Sequence, residues 1–397
     1  MTLHRIINPI KSRSFFLFGA RSTGKTTFIQ NQFLIDQTNI LYIDLLDPEQ
    51  EDTFARDPNR LKRLIDSKRE NKPYDWIFID EVQRLPRLLD ICQQLIVKYK
   101  DKFILTGSSS RKLKRFGANL LAGRALVYVM FPLTSRELGL AFDLIKALRW
   151  GTLPEVYLAD SDEERKGILR AYQLTYLKEE IKEEQLVRNL DPFRLFLEIA
   201  AQMHGKVINH SEIAREAGVD YKTIQAYFSI LEDTYLGFYL HSYHNSLRKS
   251  QLVHPKFYFF DLGARNALVS VLDQTVHEST ADFGDRFESF VIQEIYRLNW
   301  YCGTDYKLSY LLTKDGFEID LIVENPSSLF IIKIKSNARI NPDKVRRFAT
   351  QVSTLTFKQS FRILWLSQDS AAQTLGSVTC LFWQEGLAEI FFQKPSR

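Results

Sequence analysis

The chain has 397 residues, 45% hydrophobic and 25% charged, with a formal net charge of +5 at pH 7. These are the values of a globular chain of about two to four domains, and they exclude a disordered or fibrous one. No apolar run approaches the roughly 20 residues that a membrane helix needs. Cys92, Cys302 and Cys380 are isolated and odd in number, so they read as free thiols in a reducing compartment, and a cytoplasmic protein with no membrane partner is expected.

The charge is unevenly spread. Residues 1–150 carry 25 Lys and Arg against 16 Asp and Glu, whereas residues 151–397 carry 28 against 32. The basic surplus suits contact with a polyanion, and it suits solubility equally well.

Phe15–Phe18 is a buried-strand pattern, too short for a signal-peptide core. It ends at Gly19, and Gly19-x-x-x-x-Gly24-Lys25-Thr26 follows, with Phe28, Ile29 and Phe33 at helical spacing. Strand, glycine-bounded loop and helix start are the context that a P-loop requires. Gly19 and Gly24 let the backbone bend close to phosphate oxygens with no Cβ in the way. The N–H groups from Gly19, Ala20, Arg21, Ser22, Thr23 and Gly24 into Lys25, Thr26 and Thr27 direct positive partial charge at an anion. Lys25 is expected to reach the β and γ phosphates of ATP, and the Thr26 hydroxyl to ligate Mg²⁺.

Ile40–Leu45 is a second buried strand with Asp44 near its end, and Leu61–Lys72 is a charged amphipathic helix. Asp75–Glu81 is a third buried-strand pattern, ending in the paired carboxylates Asp80-Glu81. An Asp-Glu pair alone is most often a solvated turn. At the end of an apolar strand ~55 residues after a P-loop, it reads as a metal-holding Asp80 and a general base Glu81. Leu88–Tyr99 is helical, and Phe103–Ser108 is a strand ending in small hydroxyl residues. Ser108, with Thr106 second, is the candidate for orienting the lytic water; the alternative is a turn or helix cap. Arg111, Lys112, Lys114 and Arg115 form a basic cluster ahead of Leu121-Ala122-Gly123-Arg124. Arg124 has two readings, an arginine finger acting in cis or toward a neighbouring subunit, and a surface ion pair. Val127–Phe131 is the last strand and Ser135–Leu148 a helix.

Residues 15–136 resemble the AAA-type P-loop ATPases of prokaryotes that carry a Glu beside the second-motif Asp. FIDEVQRLP (Phe78–Pro86), LTGSSS (Leu105–Ser110), LAGR (Leu121–Arg124) and PLTSREL (Pro132–Leu138) narrow the resemblance to a widespread bacterial and archaeal family of uncharacterised ATPases. That resemblance covers nearly the whole chain. It implies a C-terminal domain of unknown function with a restriction-endonuclease-like fold.

Gly151–Val156 is a Gly/Pro-punctuated junction. Glu163–Arg188 alternates in charge, with Lys178, Glu179, Glu180, Lys182, Glu183 and Glu184, as on a solvated helix face; Tyr172 and Tyr176 mark its packed side. Ser211 is placed to cap a helix holding Ile213, Ala214 and Ala217 that ends at Gly218. Asp220 is placed to cap a second, with Ile224, Tyr227, Phe228 and Leu231 on one face. Strand-like Gly237–Tyr243 and Pro255–Phe260 follow, with Arg248, Lys249, His254 and Lys256 between or beside them. The sum is a winged helix, which the resemblance also implies. It either presents Lys222, Thr223 and Gln225 to DNA or serves packing within the chain. His241, His244 and His254 have no partner at ligand spacing and read as ordinary histidines.

Asp285–Leu298 is an amphipathic helix. A hairpin over Tyr306–Val323, a strand Leu329–Ile334, a helix Val345–Leu355 and a strand Phe361–Leu366 make an α/β domain. A nuclease of the restriction-endonuclease type needs an acid on one strand and acid-x-Lys on the next. Glu288, Asp320 and Lys335 stand at matching positions, but Lys333 replaces the second acid. A Lys there repels a dication and is placed to pair with Asp320 instead, so the domain is expected to fold without nuclease activity. The expected fold class is therefore α/β in three parts: a parallel-sheet P-loop ATPase domain (1–150), a helical and winged-helix segment (151–275) and a nuclease-like domain (276–397). The function expected is Mg²⁺-dependent ATP hydrolysis driving a conformational switch. Its partner is either DNA, or another protein or a second copy; an ATP-dependent nuclease is the third option.

Overall fold

The computed structural model describes residues 3–34, 39–69, 71–111, 120–183, 190–244 and 254–392. Lys112, Lys114, Arg115, Glu184, Arg188, Arg248 and Lys249, singled out above, lie outside the described residues, as do the side chains of Tyr176, Lys178, Glu179, Glu180, Lys182 and Glu183. The chain divides into two compact units.

The first unit comprises Met1–Leu133, Leu153–Glu155 and Phe228–Leu236. Its sheet has five strands, β1 (Ser14–Phe18), β2 (Ile40–Asp44), β3 (Trp76–Asp80), β4 (Phe103–Gly107) and β5 (Ala125–Val129), in the order β2-β3-β4-β1-β5. Every pairing is parallel. β1, β3 and β4 are buried along their whole length, as strands covered on both faces must be, which is why they read as unbroken apolar runs. β5 begins two residues before its apolar pattern suggests, because β1 already offers Ser14 as a partner for Ala125. The order seats β4 between β3 and β1. The residues leaving β4 therefore lie between the loop after β1 and the acids at the end of β3, the crevice where parallel sheets place ligands.

The second unit comprises Thr134–Thr152, Val156–Tyr227 and Gly237–Arg397. Its sheet has eight strands: β6 (Gly237–Ser242), β7 (Lys256–Phe259), β8 (Lys307–Leu312), β9 (Glu318–Glu324), β10 (Leu329–Ile334), β11 (Phe361–Ser367), β12 (Gln373–Leu375) and β13 (Val378–Phe382). Their order is β12-β13-β11-β10-β9-β8-β6-β7. The antiparallel pair β6–β7 is joined to the rest through a short parallel pairing of β6 with β8. The ribbon that follows the two helices thus continues the C-terminal sheet. β12, β13 and the closing helix Trp383–Phe391 were not anticipated from the sequence.

These units divide the chain differently from the three segments expected. Thr134–Thr152 falls in the second unit because the long helix Ala281–Tyr301 grips it. Ser135 donates its backbone N–H and its hydroxyl to the buried Glu294 carboxylate, at 2.9 and 2.6 Å. Arg297 reaches Glu294 Oε1 at 3.3 Å, Thr152 Oγ1 at 3.1 Å and the Phe260 carbonyl at 2.8 Å. Ser135–Leu148 is not one helix. A turn Ser135–Leu138, closed by a Thr134/Glu137 capping box, gives way at Gly139, whose φ of 52° ends it. Asp143 then caps a new helix, Leu144–Trp150.

The two helices of the middle region are His210–Ala217 and Tyr221–Asp233. Asn209, not Ser211, caps the first, because its side chain accepts from two backbone N–H groups. Gly218 ends that helix in the left-handed conformation, and Asp220 accepts from Thr223 N at 3.0 Å to start the next. Among the described residues no helix is long and apolar enough to cross a membrane.

Candidate active site

The loop after β1 is shaped by two glycines. A Cβ at Gly19 would lie 2.2 Å from the Met130 carbonyl oxygen, so the close approach of the chain leaving β5 excludes any other residue. Gly24 sits at φ 89°, a conformation open to Gly at little cost. The short helix Lys25–Ile29 starts from it. Thr23 closes the loop from inside by donating to Ala20 O at 2.8 Å. Arg5 is buried and braces it from beneath, donating to Thr23 O at 3.0 Å and Phe131 O at 2.5 Å. Nothing in the spacing of the N-terminal residues marks Arg5 for that role.

Lys25 is almost fully buried. Its ammonium donates to Gly19 O at 2.8 Å and Ala20 O at 3.1 Å, so the cation lies folded along the loop it closes. One residue on, the Thr26 hydroxyl donates to Asp80 Oδ2 at 2.8 Å. Thr106 bonds the other Asp80 oxygen, and the Tyr42 hydroxyl lies 3.4 Å from Oδ2. Burial pushes the Asp80 carboxyl above its ordinary value; the Thr106 and Thr26 hydrogen bonds oppose the shift without cancelling it, and the Glu81 charge adds to it. A hydroxyl and a carboxylate side by side at the head of a phosphate-type loop are hard oxygen donors, and they fit a magnesium ion held with waters and phosphate oxygens.

Glu81 stands next to this pair in the left-handed region at φ 55°, with its N–H held by Thr106 Oγ1 at 3.2 Å. Its Oε2 accepts from Ser108 N and Ser108 Oγ, each at 3.2 Å, and from Gln83 Nε2. Burial alone would raise its pKa. The Lys25 charge, the Gln83 hydrogen bond and the Arg21 charge outweigh burial and hold it below the ordinary value.

Of the residues expected from the sequence, Gly19, Gly24, Lys25, Thr26, Asp80, Glu81, Thr106 and Ser108 come together in one cluster. Ser108 touches Glu81 directly, and Thr106, second choice for the water, braces Asp80 and the Glu81 backbone. Arg124 is exposed. Among the described residues no hydrogen bond or ion pair joins its side chain to the cluster. Gln83 was missed; it lies two residues past Glu81 and looks from the sequence like any polar turn residue.

The second constellation lies in the second unit. Asp320 is buried, and Lys333 donates to its Oδ1 at 2.5 Å while Ile334 N donates to Oδ2 at 2.7 Å. Burial works against the Lys333 charge, but the Asp320 carboxylate outweighs it and the ammonium titrates above its ordinary value. Lys333 also reaches the Glu318 carbonyl at 3.2 Å. Lys256 lies 2.6 Å from Glu318 Oε1 and 3.8 Å from Glu288 Oε1. The ion pair expected between Lys333 and Asp320 is therefore present. Among the described residues no group of three or more His, Cys, Asp or Glu is arranged to hold a metal ion.

Three family models match successive stretches of the chain. An AAA domain covers residues 11–139, a domain of unknown function (DUF8612) residues 141–275, and another (DUF4143) residues 283–379. The first stretch is thus an AAA-type P-loop domain. An uncharacterized protein of Mycobacterium tuberculosis is 27% identical over 261 residues, 65% of this chain and 58% of that protein. An uncharacterized protein of Haemophilus influenzae is 23% identical over 341 residues, 80% of each. The chain thus spans little more than half the length of the mycobacterial relative. Among solved structures, the Aeropyrum pernix ORC1 protein in complex with DNA aligns over 65% of this chain and 86% of that one. The identity is 13% and the TM-score 0.31, a likeness too loose to bear on fold or function.

Proposed function

We propose that the first unit binds ATP with Mg²⁺ and hydrolyses it, and that nucleotide state switches the conformation of a cytoplasmic protein. The observation that carries this reading is the 2.8 Å bond between Thr26 and Asp80 beside the buried Lys25. The N–H groups from Gly19 to Thr27 would cradle the phosphates, and Lys25 would leave the loop carbonyls to hold the β and γ phosphates. Thr26 and Asp80 would hold the magnesium ion, which supplies charge neutralisation at the phosphoryl oxygens. Glu81 would take the proton of the attacking water, and Ser108, tied to it, would keep that carboxylate in place. Arg124, exposed, is free to serve as an arginine finger for a neighbouring copy. Lys25→Ala is expected to abolish nucleotide binding, and Glu81→Gln to keep binding and lose turnover. Turnover unchanged in Glu81→Gln removes that residue from the mechanism.

We further propose a winged helix over the two middle helices and the β6–β7 ribbon, and a nuclease-like but inactive C-terminal domain in which the Lys333 ammonium stands where a dication would. The exposed Tyr221, Lys222 and Gln225 favour a partner for the second helix. Thr223 is committed instead to its Asp220 cap at 2.5 Å. Duplex DNA that binds the full chain with a steep salt dependence supports a DNA-associated switch. ATP turnover indifferent to DNA and RNA supports a protein-interaction switch. Mg²⁺-dependent cleavage of DNA or RNA, lost in Asp320→Ala, overturns the inactive-nuclease reading.

A further inference from the structure

We propose that Gln83 is a positioning residue for Glu81, clamping one carboxylate oxygen so that the other faces the water to be activated; the proposal rests on the reading of Glu81 as base. Gln83 is buried and spends both hydrogens of its amide nitrogen in this corner. One goes to Glu81 Oε2 and one to Ser108 Oγ at 3.1 Å. Ser108 in turn donates its backbone N–H to the same Oε2. Among the described residues every hydrogen bond to the Glu81 carboxylate falls on Oε2, which leaves Oε1 as its remaining acceptor.

Two features show that this arrangement is not incidental packing. The Gln83 carbonyl oxygen is buried without a hydrogen-bond partner. It lies 2.6 Å from where a Cβ on Gly107 would stand, so the glycine that ends β4 makes room for it. A buried unpaired carbonyl is unfavourable. Turning the amide over would set that oxygen against the carboxylate, so the two donations to Glu81 and Ser108 are what fix its direction. The second feature is the backbone. Glu81 occupies the left-handed region, uncommon for a residue with a long side chain, and its N–H is pinned by Thr106. The end of β4 thus holds the Glu81 backbone through Thr106 and its carboxylate through Ser108. Gln83 adds a third bond to the carboxylate from the turn after β3, as a group needs when it must meet a water in one orientation.

The test uses the purified full chain, three single variants and one double variant. Gln83→Met keeps the side-chain volume beside Gly107 and removes both donors, and Gln83→Ala removes the volume as well. A charge-assisted hydrogen bond of ordinary strength predicts a fall in kcat of about tenfold or more in both, with KM and the dissociation constant for ATP changed less than about twofold. In a Glu81→Gln background the Gln83→Met change is expected to cost nothing further, since both act through one carboxylate. A wild-type kcat in Gln83→Met overturns the clamp. So does a loss carried by KM and ATP affinity, or full additivity with Glu81→Gln. A wild-type chain without ATP turnover sinks the hydrolysis reading itself, and full turnover in Glu81→Gln sinks the reading of Glu81 as base and the clamp with it. Turnover lost in Glu81→Gln and intact in Gln83→Met sinks the clamp alone.

Discussion

Glu288 offers a test of the C-terminal cluster through pH. Burial pushes its carboxyl from an ordinary 4.5 up to about 8; the Asp320 charge adds to that shift, and Lys256 and Lys333 only partly oppose it. Within this unit Glu288, on the helix Ala281–Tyr301, is influenced by Lys256 on β7, Glu318 and Asp320 on β9, and Lys333 on β10. Above pH 4.5 the unfolded chain has lost this proton while the folded one keeps it until about pH 8. The native state therefore binds more protons in that window, and stability falls as pH rises through it. Each pH unit within the window is worth at most about 1.4 kcal/mol, so the fall between about pH 5.5 and about pH 8 approaches 3 kcal/mol. Glu288→Gln mimics the protonated carboxyl and removes this dependence. Urea unfolding of both proteins, followed by tryptophan fluorescence, measures it, since Trp150, Trp300, Trp365 and Trp383 all lie in the second unit. The difference in stability between variant and wild type should grow in the variant's favour as pH rises. Parallel pH profiles for the two proteins would refute the placement of a neutral Glu288 in the cluster.

Removing one partner of a buried pair strands the other. Lys333→Met leaves Asp320 with the Ile334 N–H alone, and is expected to destabilise the second unit by about 3 kcal/mol or more in urea; a loss below about 1 kcal/mol contradicts the ion pair as drawn. Gly19→Ala drives a methyl to 2.2 Å from the Met130 carbonyl. The loop must shift to relieve that contact, so ATP affinity is expected to fall at least about tenfold. A Gly19→Ala chain titrating like wild type would show that the loop geometry is not what grips the phosphates.

What the sequence made legible was local. The strand-loop-helix around Gly19 and the apolar run into Asp80-Glu81 are spelled by neighbouring residues, and the fold places them in one crevice. The turn at Gly218 and the cap at Asp220 are equally local. The Lys333–Asp320 pair was readable because the second strand of the hairpin and the strand that follows it lie side by side and bring those two positions together. Arg5 and Gln83 were not readable. Arg5 acts on Phe131, 126 residues away, and Gln83 acts on Ser108, 25 residues away. Neither partner leaves a mark on the spacing around the residue itself. The joining of β6 to β8 escaped for the same reason, since parallel pairing between distant strands has no turn to announce it. Gly139 was visible, but the apolar periodicity on either side of it masked the break it makes.

Everything proposed for the first unit depends on a triphosphate seated on the loop from Gly19 to Thr27 next to Thr26 and Asp80. Calorimetric titration of the purified full chain with ATP in the presence of Mg²⁺ measures this directly. The account predicts a saturable heat with one site per chain that disappears in Lys25→Ala. A flat titration of the folded wild-type chain, or an undiminished one in Lys25→Ala, contradicts it.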